Sequence, residues 1–221
     1  MRQILSGRKN LIQKRKKNDW SEGGLRPVHA AESTANSSDL YHKQNSTKPL
    51  EFMEKIAVFV DVQNVYYTTK QIHKCHFDYN AFWAKATSNR KVVKAIAYAI
   101  DRGDEKQKQF QNILKGIGFD LKLKSFIQRS DGSAKGDWDV GITLDVMEHS
   151  KNTDVVVLVT GDGDFELLVA KIRRDFGVSV EVYGVAQLTA RSLIDSASKF
   201  VRIEGKLLLK QKNTVKPPKG A

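Results

Sequence analysis

A three-layer α/β/α domain with a mainly parallel central sheet is the fold class that this sequence predicts, and three observations carry the prediction. Two apolar runs rich in branched side chains, Ile56-Ala57-Val58-Phe59-Val60 and Val155-Val156-Val157-Leu158-Val159, are uninterrupted, as strands buried on both faces are. Segments of strand character alternate with segments of helical periodicity, which implies parallel strands joined by right-handed crossovers. Each apolar run empties into acidic residues, Asp61 after the first and Asp162 and Asp164 after the second. In an open α/β sheet ligands bind beyond the carboxyl ends of the strands.

The first strand is expected over residues 56–61 and is followed by a helix near 65–73. Asp78 is a plausible N-cap for a helix over 79–87 that carries Phe82 and Trp83. A second strand follows near 93–100. The next helix, 104–115, sets Phe110, Ile113, Leu114 and Ile117 on one face and ends at Gly116 and Gly118. Residues 119–127 read as a strand in a more exposed position, because Leu121 and Leu123 alternate with Lys122 and Lys124. A helix over 137–149 spaces Val140, Leu144 and Met147 by four and three residues. After the strand at 154–159 comes the clearest helical signal: Phe165, Leu168, Val169, Ile172 and Phe176 share one stripe, and Gly177 stops it. A strand at 178–183, a short helix at 189–198 and a last strand at 200–203 complete the alternation.

The formal charge of +12 is concentrated at the ends of the chain. Residues 1–50 hold 10 Lys and Arg against 4 Asp and Glu, residues 51–205 hold 22 against 21, and residues 206–221 hold 5 against none. The reading is therefore a disordered basic leader (1–50), one folded domain (51–205) and a basic tail (206–221). Met53 just before the first strand is an alternative start of translation. Basic tails suit a polyanion such as nucleic acid, although an anionic membrane surface or plain solubility asks for no more. Cys75 is the single cysteine, so no disulfide framework or cysteine zinc site forms within one chain. No stretch has the length of a spanning helix, and the basic start lacks the apolar core of a secretory signal. A cytoplasmic protein without a membrane partner is expected.

The acids carry the chemistry. Asp61 at the end of the first strand is followed by Asn64, whose amide suits a phosphate or orients the carboxylate; a helix N-cap explains either residue alone. Thr160-Gly161-Asp162-Gly163-Asp164 supplies two acids where one cap is needed, with glycines that allow tight turning and a helix N-terminus beyond. Asp139, after Lys135-Gly136-Asp137-Trp138, brings a third segment, with Lys135 able to pair with it or meet a phosphate. Asp145 lies about 240° further round the helix and is read as a structural partner. Close carboxylates repel unless they share protons or hold a hard cation, so the cluster is read as a Mg²⁺ or Mn²⁺ site.

In these motifs the sequence resembles the NYN domain of the LabA type, a branch of the PIN-like nucleases. The matching residues are Asp61-Val62-Gln63-Asn64, then Lys135-Gly136-Asp137-Trp138-Asp139-Val140 with Asp145, then Thr160-Gly161-Asp162-Gly163-Asp164-Phe165. All three occur in order, and the resemblance spans about residues 54–203. It implies a PIN-like, Rossmann-like fold and a metal-dependent (endo)ribonuclease, with Asp61, Asp139, Asp162 and Asp164 as catalytic residues around one or two Mg²⁺ or Mn²⁺ ions. One residue more stands between Gly136 and Asp139 than in the shorter family form, and Asp139 is preferred to Asp137 for the metal. Substrate contacts are expected from Asn64, Lys135, Thr160 and Trp138, the last as a stacking platform for a base.

Rival readings are weaker. A haloacid-dehalogenase phosphatase needs a second Asp two residues after the first, where Gln63 stands, and a dinucleotide site needs GxGxxG, where Asp61-Val62-Gln63-Asn64 stands. The alternative of a different class is a non-catalytic RNA-binding or regulatory module with the same fold. A pure binder of polyanions gains nothing from an acidic cluster without metal.

Overall fold

The computed structural model describes residues 53–209, except 102, 126, 129–133 and 136. The leader, Gly136 and the tail beyond residue 209 lie outside the described residues. Six parallel strands form one sheet: β1 (Glu54–Asp61), β2 (Arg90–Asp101), β3 (Asp120–Ser125), β6 (Val155–Val159), β7 (Ser179–Gly184) and β8 (Lys199–Arg202). Two further strands, β4 (Ile127–Gln128) and β5 (Ala134–Lys135), make a small antiparallel pair apart from it. The six helices are α1 (Val62–His73), α2 (Tyr79–Ala86), α3 (Glu105–Ile117), α4 (Asp139–His149), α5 (Glu166–Phe176) and α6 (Arg191–Ser196).

The sheet order is β3-β2-β1-β6-β7-β8. From β1 the chain winds outward through β2 to β3, then returns to β6 on the other side of β1 and winds outward again to β8. The order reverses between β1 and β6, and the crevice for ligands in such a sheet opens beyond the strand ends at that switch. Asp61 ends β1, and Thr160 follows β6 directly. The fold thus brings the two acidic motifs side by side.

Strand periodicity divides the core. Ile56, Val58 and Val60 point to the side covered by α1, α2 and α3, where they meet Val65, Phe82 and Leu114. Ala57 and Phe59 point to the other side and pack with Ile142 and Val146 of α4, Val169 and Ile172 of α5 and Leu193 of α6. Residues 56–60 are fully buried, and each large apolar side chain so buried contributes about 1.5–3 kcal/mol. Continuous hydrophobicity, rather than alternation, is what a central parallel strand requires.

Several expectations change in detail. The strand over 119–127 divides into β3 and β4, and β3 is an edge of the sheet, which agrees with its lysines. Gly118, at φ 123°, caps α3, whereas Gly116 lies inside the helix. On α3, Leu114 is buried but Ile113 is exposed. The apolar spacing read on α4 picked the wrong face: Val140 and Leu144 are 70% and 65% exposed, while Ile142, Asp145 and Val146 point inward. The domain also extends beyond residue 205. Leu207 is buried and its carbonyl accepts from the Asp78 N–H at 2.9 Å, and Leu209 N–H donates to the His76 carbonyl at 2.8 Å.

Candidate metal centre

Asp61 is both the last residue of β1 and the N-cap of α1, its Oδ1 accepting the Asn64 N–H at 3.1 Å. Burial first, and then the charges of Asp139 and Asp162, push its carboxyl up to about 6 against the opposing pull of that N–H. A half-buried carboxylate held among like charges favours either a proton or a cation.

The loop after β6 is tied down at each residue. Thr160 is fully buried, its N–H donates to the Tyr183 carbonyl at 3.1 Å, and its hydroxyl oxygen accepts the Asp162 N–H at 3.3 Å. Asp162 caps the 3₁₀ turn Gly163–Phe165 by accepting the Asp164 N–H at 3.0 Å. Asn64 reaches across from α1, where its Oδ1 accepts the Gly161 N–H at 2.9 Å. The two glycines are needed for close approach, not for a left-handed backbone. A Cβ on Gly161 would stand 2.9 Å from the Leu188 carbonyl oxygen, and one on Gly163 2.9 Å from the Ala190 Cβ.

Asp139 arrives from the other side as the first residue of α4. Its carboxylate and those of Asp162 and Asp164 each present an oxygen such that all lie within 4.8 Å of one another. Oxygens on opposite sides of one ion bound at 2.0–2.6 Å stand about 4–5 Å apart, so a shared Mg²⁺, Mn²⁺ or Ca²⁺ fits the spacing. Burial raises the Asp139 carboxyl, the charges of Asp162, Asp137 and Asp164 raise it further, and Lys124 opposes them. Asp61 is not in this mutual trio; it faces it closely enough to feel two of its members.

The remaining sequence candidates take other places. Trp138 is half-buried, its indole N–H donates to the Ala99 carbonyl at 2.9 Å, and its ring lies 5.4 Å from that of Tyr98. It is held as part of the wall under Asp139, and a Cβ on Gly141 would strike it at 2.7 Å. Thr160 faces inward and shapes the loop. Lys135 belongs to β5, and its side chain lies outside the described residues. Asp145 turns away from the acids, accepting the Tyr98 hydroxyl at 2.6 Å and Lys122 Nζ at 2.8 Å, as its angle round the helix requires. Sequence reasoning missed Lys124, whose ammonium sits 4.4 Å over the Trp138 ring and donates to the Asp137 carbonyl. Its alternation with leucines had marked it only as solvent-facing.

Comparison with known proteins bears on the family and the fold. The NYN domain family model matches residues 55–204, from β1 through β8. The low amplitude and bright protein LabA of Synechococcus elongatus is 26% identical over 160 residues, which cover 66% of this chain and 82% of that protein. A crystal structure of a protein of unknown function from Vibrio parahaemolyticus is 56% identical and superposes with a TM-score of 0.68, covering 71% of this chain and 97% of that one.

Proposed function

The chain belongs to the NYN domain family, a branch of the PIN-like nucleases, and from that membership we propose that it is a metal-dependent ribonuclease hydrolysing RNA phosphodiester bonds. One observation carries the reading: three carboxylates from two separate elements converge within 4.8 Å at the sheet's switch point, and the capping bond of Asp162 accounts for one of the three but not for their convergence.

Asp139, Asp162 and Asp164 would hold Mg²⁺ or Mn²⁺, with Asp61 as the fourth carboxylate facing them. All-oxygen donors of this kind match hard divalent ions. When bound, the metal supplies a lowered pKa for water and stabilisation of charge on the phosphate. The chain's own residues set the stage for that chemistry. Asn64 fixes the loop that presents Asp162 and Asp164, Trp138 supports the first turn of α4 beneath Asp139, and Lys124 offers a positive charge beside the acids for a backbone phosphate. The basic ends of the chain add sequence-independent attraction to RNA. No helix among the described residues is long and apolar enough to cross a membrane, and we place the enzyme's work in the cytoplasm.

Cleavage of labelled single-stranded RNA in Mg²⁺ or Mn²⁺, in EDTA, and by Asp162→Asn tests the proposal. The substitution keeps a capping oxygen but removes the charge, and activity should fall by at least about a hundredfold. RNA that is retained by the wild-type protein yet never cut in either metal would make it a binding or regulatory module instead.

A further inference from the structure

Next to the acids, α1, the segment 76–80 and α3 enclose a cavity of about 640 Å³, a size typical of small-molecule sites. Its lining includes Val62 and Gln63, the two residues directly after Asp61, together with Tyr66, Tyr79 and Phe110. The cavity and the acids therefore share the first turn of α1.

Two observations indicate what the cavity is shaped to accept. Gln111 of α3 lines it, is only 8% exposed, and holds its amide nitrogen without a hydrogen-bond partner. Buried amide donors in folded proteins are almost always paired, with protein or with ordered water, so these N–H groups leave room for an acceptor that the protein itself does not supply. Tyr66 stands at the opening, 45% exposed, with Tyr67 edge-on at 5.3 Å. The His76 ring lies 5.7 Å from that of Tyr66, and a partly exposed aromatic ring and an unpaired donor lining one cavity suit a flat ring with acceptor atoms along its edge.

We propose that this cavity is a nucleobase subsite, which takes one unpaired base of single-stranded RNA adjoining the scissile phosphate. The Gln111 amide donates to a ring nitrogen or carbonyl oxygen on the base edge, and Tyr66 packs against the base face. A base already paired in a duplex has its edge occupied, so the site selects single strands. Lys106, which also lines the cavity, is available to the neighbouring phosphate. The proposal rests on the ribonuclease reading for the placement of the phosphate, but base capture itself needs no metal.

The test separates the two. The full chain, in EDTA, is titrated with each of the four ribonucleosides while the side-chain amide resonances are followed by NMR. At least one nucleoside should shift the Gln111 amide saturably, and Gln111→Leu, close in volume and free of unpaired donors, should weaken binding about tenfold. Tyr66→Ala, at the exposed rim, should weaken it comparably without disturbing the core. In parallel, single-stranded RNA cleavage in Mn²⁺ should show KM raised about tenfold by Gln111→Leu. Saturable nucleoside binding at Gln111 without cleavage in any divalent metal would uphold the subsite and overturn the nuclease reading. Cleavage with no nucleoside shift, and KM unmoved by either variant, would overturn the subsite and leave the nuclease standing.

Discussion

Asn64 and Gly161 are 97 residues apart in the chain, yet the Asn64 side-chain oxygen accepts the Gly161 N–H at 2.9 Å. This bond joins the first turn of α1 to the loop that carries Asp162 and Asp164, so the motif after β1 positions the motif after β6. Asp61 caps the same turn by accepting the Asn64 N–H.

Replacing Asn64 by Ala should therefore loosen the acids without touching any of them. Partners that orient metal ligands typically affect affinity by 10–100-fold when removed. Mn²⁺ titration should show a dissociation constant raised by about tenfold or more, with RNA cleavage at saturating Mn²⁺ recovering most of its loss. An unchanged Mn²⁺ affinity would mean that the loop holds its shape without Asn64.

Asp61 predicts how stability varies with pH when no metal is present. Its carboxyl is raised in the folded protein to about 6 from an ordinary value of 3.8, so between those values the folded state binds more protons than the unfolded one. Stability from this group is fully present below the unfolded value and is lost as pH rises through about 6, a change on the order of 2–3 kcal/mol. Asp61→Asn keeps the cap and removes the titration. In EDTA the variant should gain on the wild type by more at pH 7.5 than at pH 4.5, as read from urea midpoints. Equal differences at the two pH values would show that Asp61 is not strained by its neighbours.

Much of this arrangement is visible in the sequence, because its strongest signals are periodic or continuous. The runs at 56–60 and 155–159, and the stripe from Phe165 to Phe176, each have one physical explanation, and the acids at their ends follow from the strand direction. Where two explanations compete, the sequence alone is silent. Helix α4 has apolar residues on more than one face, so Val140 and Leu144 were as good a stripe as Ile142 and Val146 until tertiary packing chose the latter. The glycines at 161 and 163 signalled tight turning, but their reason is the passage of residues 188–190 overhead, which no local pattern encodes. Lys124, Gln111 and the β4–β5 pair depend on contacts across distant segments or on strands of two residues. None leaves a period to read.

Gly184, at the end of β7, offers a test of how tightly that passage is packed. A Cβ there would lie 2.3 Å from the Thr189 hydroxyl oxygen and 3.1 Å from the Thr160 carbonyl oxygen, and Thr189 is buried with its hydroxyl donating to the Val185 carbonyl at 2.9 Å. Gly184→Ala should destabilise the fold by about 1–3 kcal/mol and lower Mn²⁺ affinity, because the displaced strand carries the loop beneath Asp162. The double variant Gly184→Ala with Thr189→Ala should recover part of the stability in chemical denaturation. Without recovery, the clash lies with the Thr160 backbone instead.

Midway along β7, Glu181 is only 6% exposed and is held by Arg90 through two bonds, Nη1 at 3.0 Å and Nη2 at 2.9 Å, and by Lys199 at 3.0 Å. Arg90 also pairs with Glu54 at 2.8 Å, so one guanidinium joins the amino ends of β1 and β2 to the middle of β7. Burial alone would raise the Glu181 carboxyl, but the bonds from Arg90 and Lys199 outweigh it and hold it below its ordinary 4.5. A depressed carboxyl contributes stability above its unfolded value and loses it as pH falls through the folded value. Glu181→Gln leaves Arg90 partly buried without its main counter-charge and should cost about 3 kcal/mol at pH 7. Because acid protonates the wild-type carboxyl, the gap between wild type and variant should narrow towards pH 3. Metal affinity should stay within a factor of two, since the acids lie at the far ends of the strands. A gap that is constant from pH 7 to pH 3 would show that packing, rather than the ion pairs, accounts for the loss.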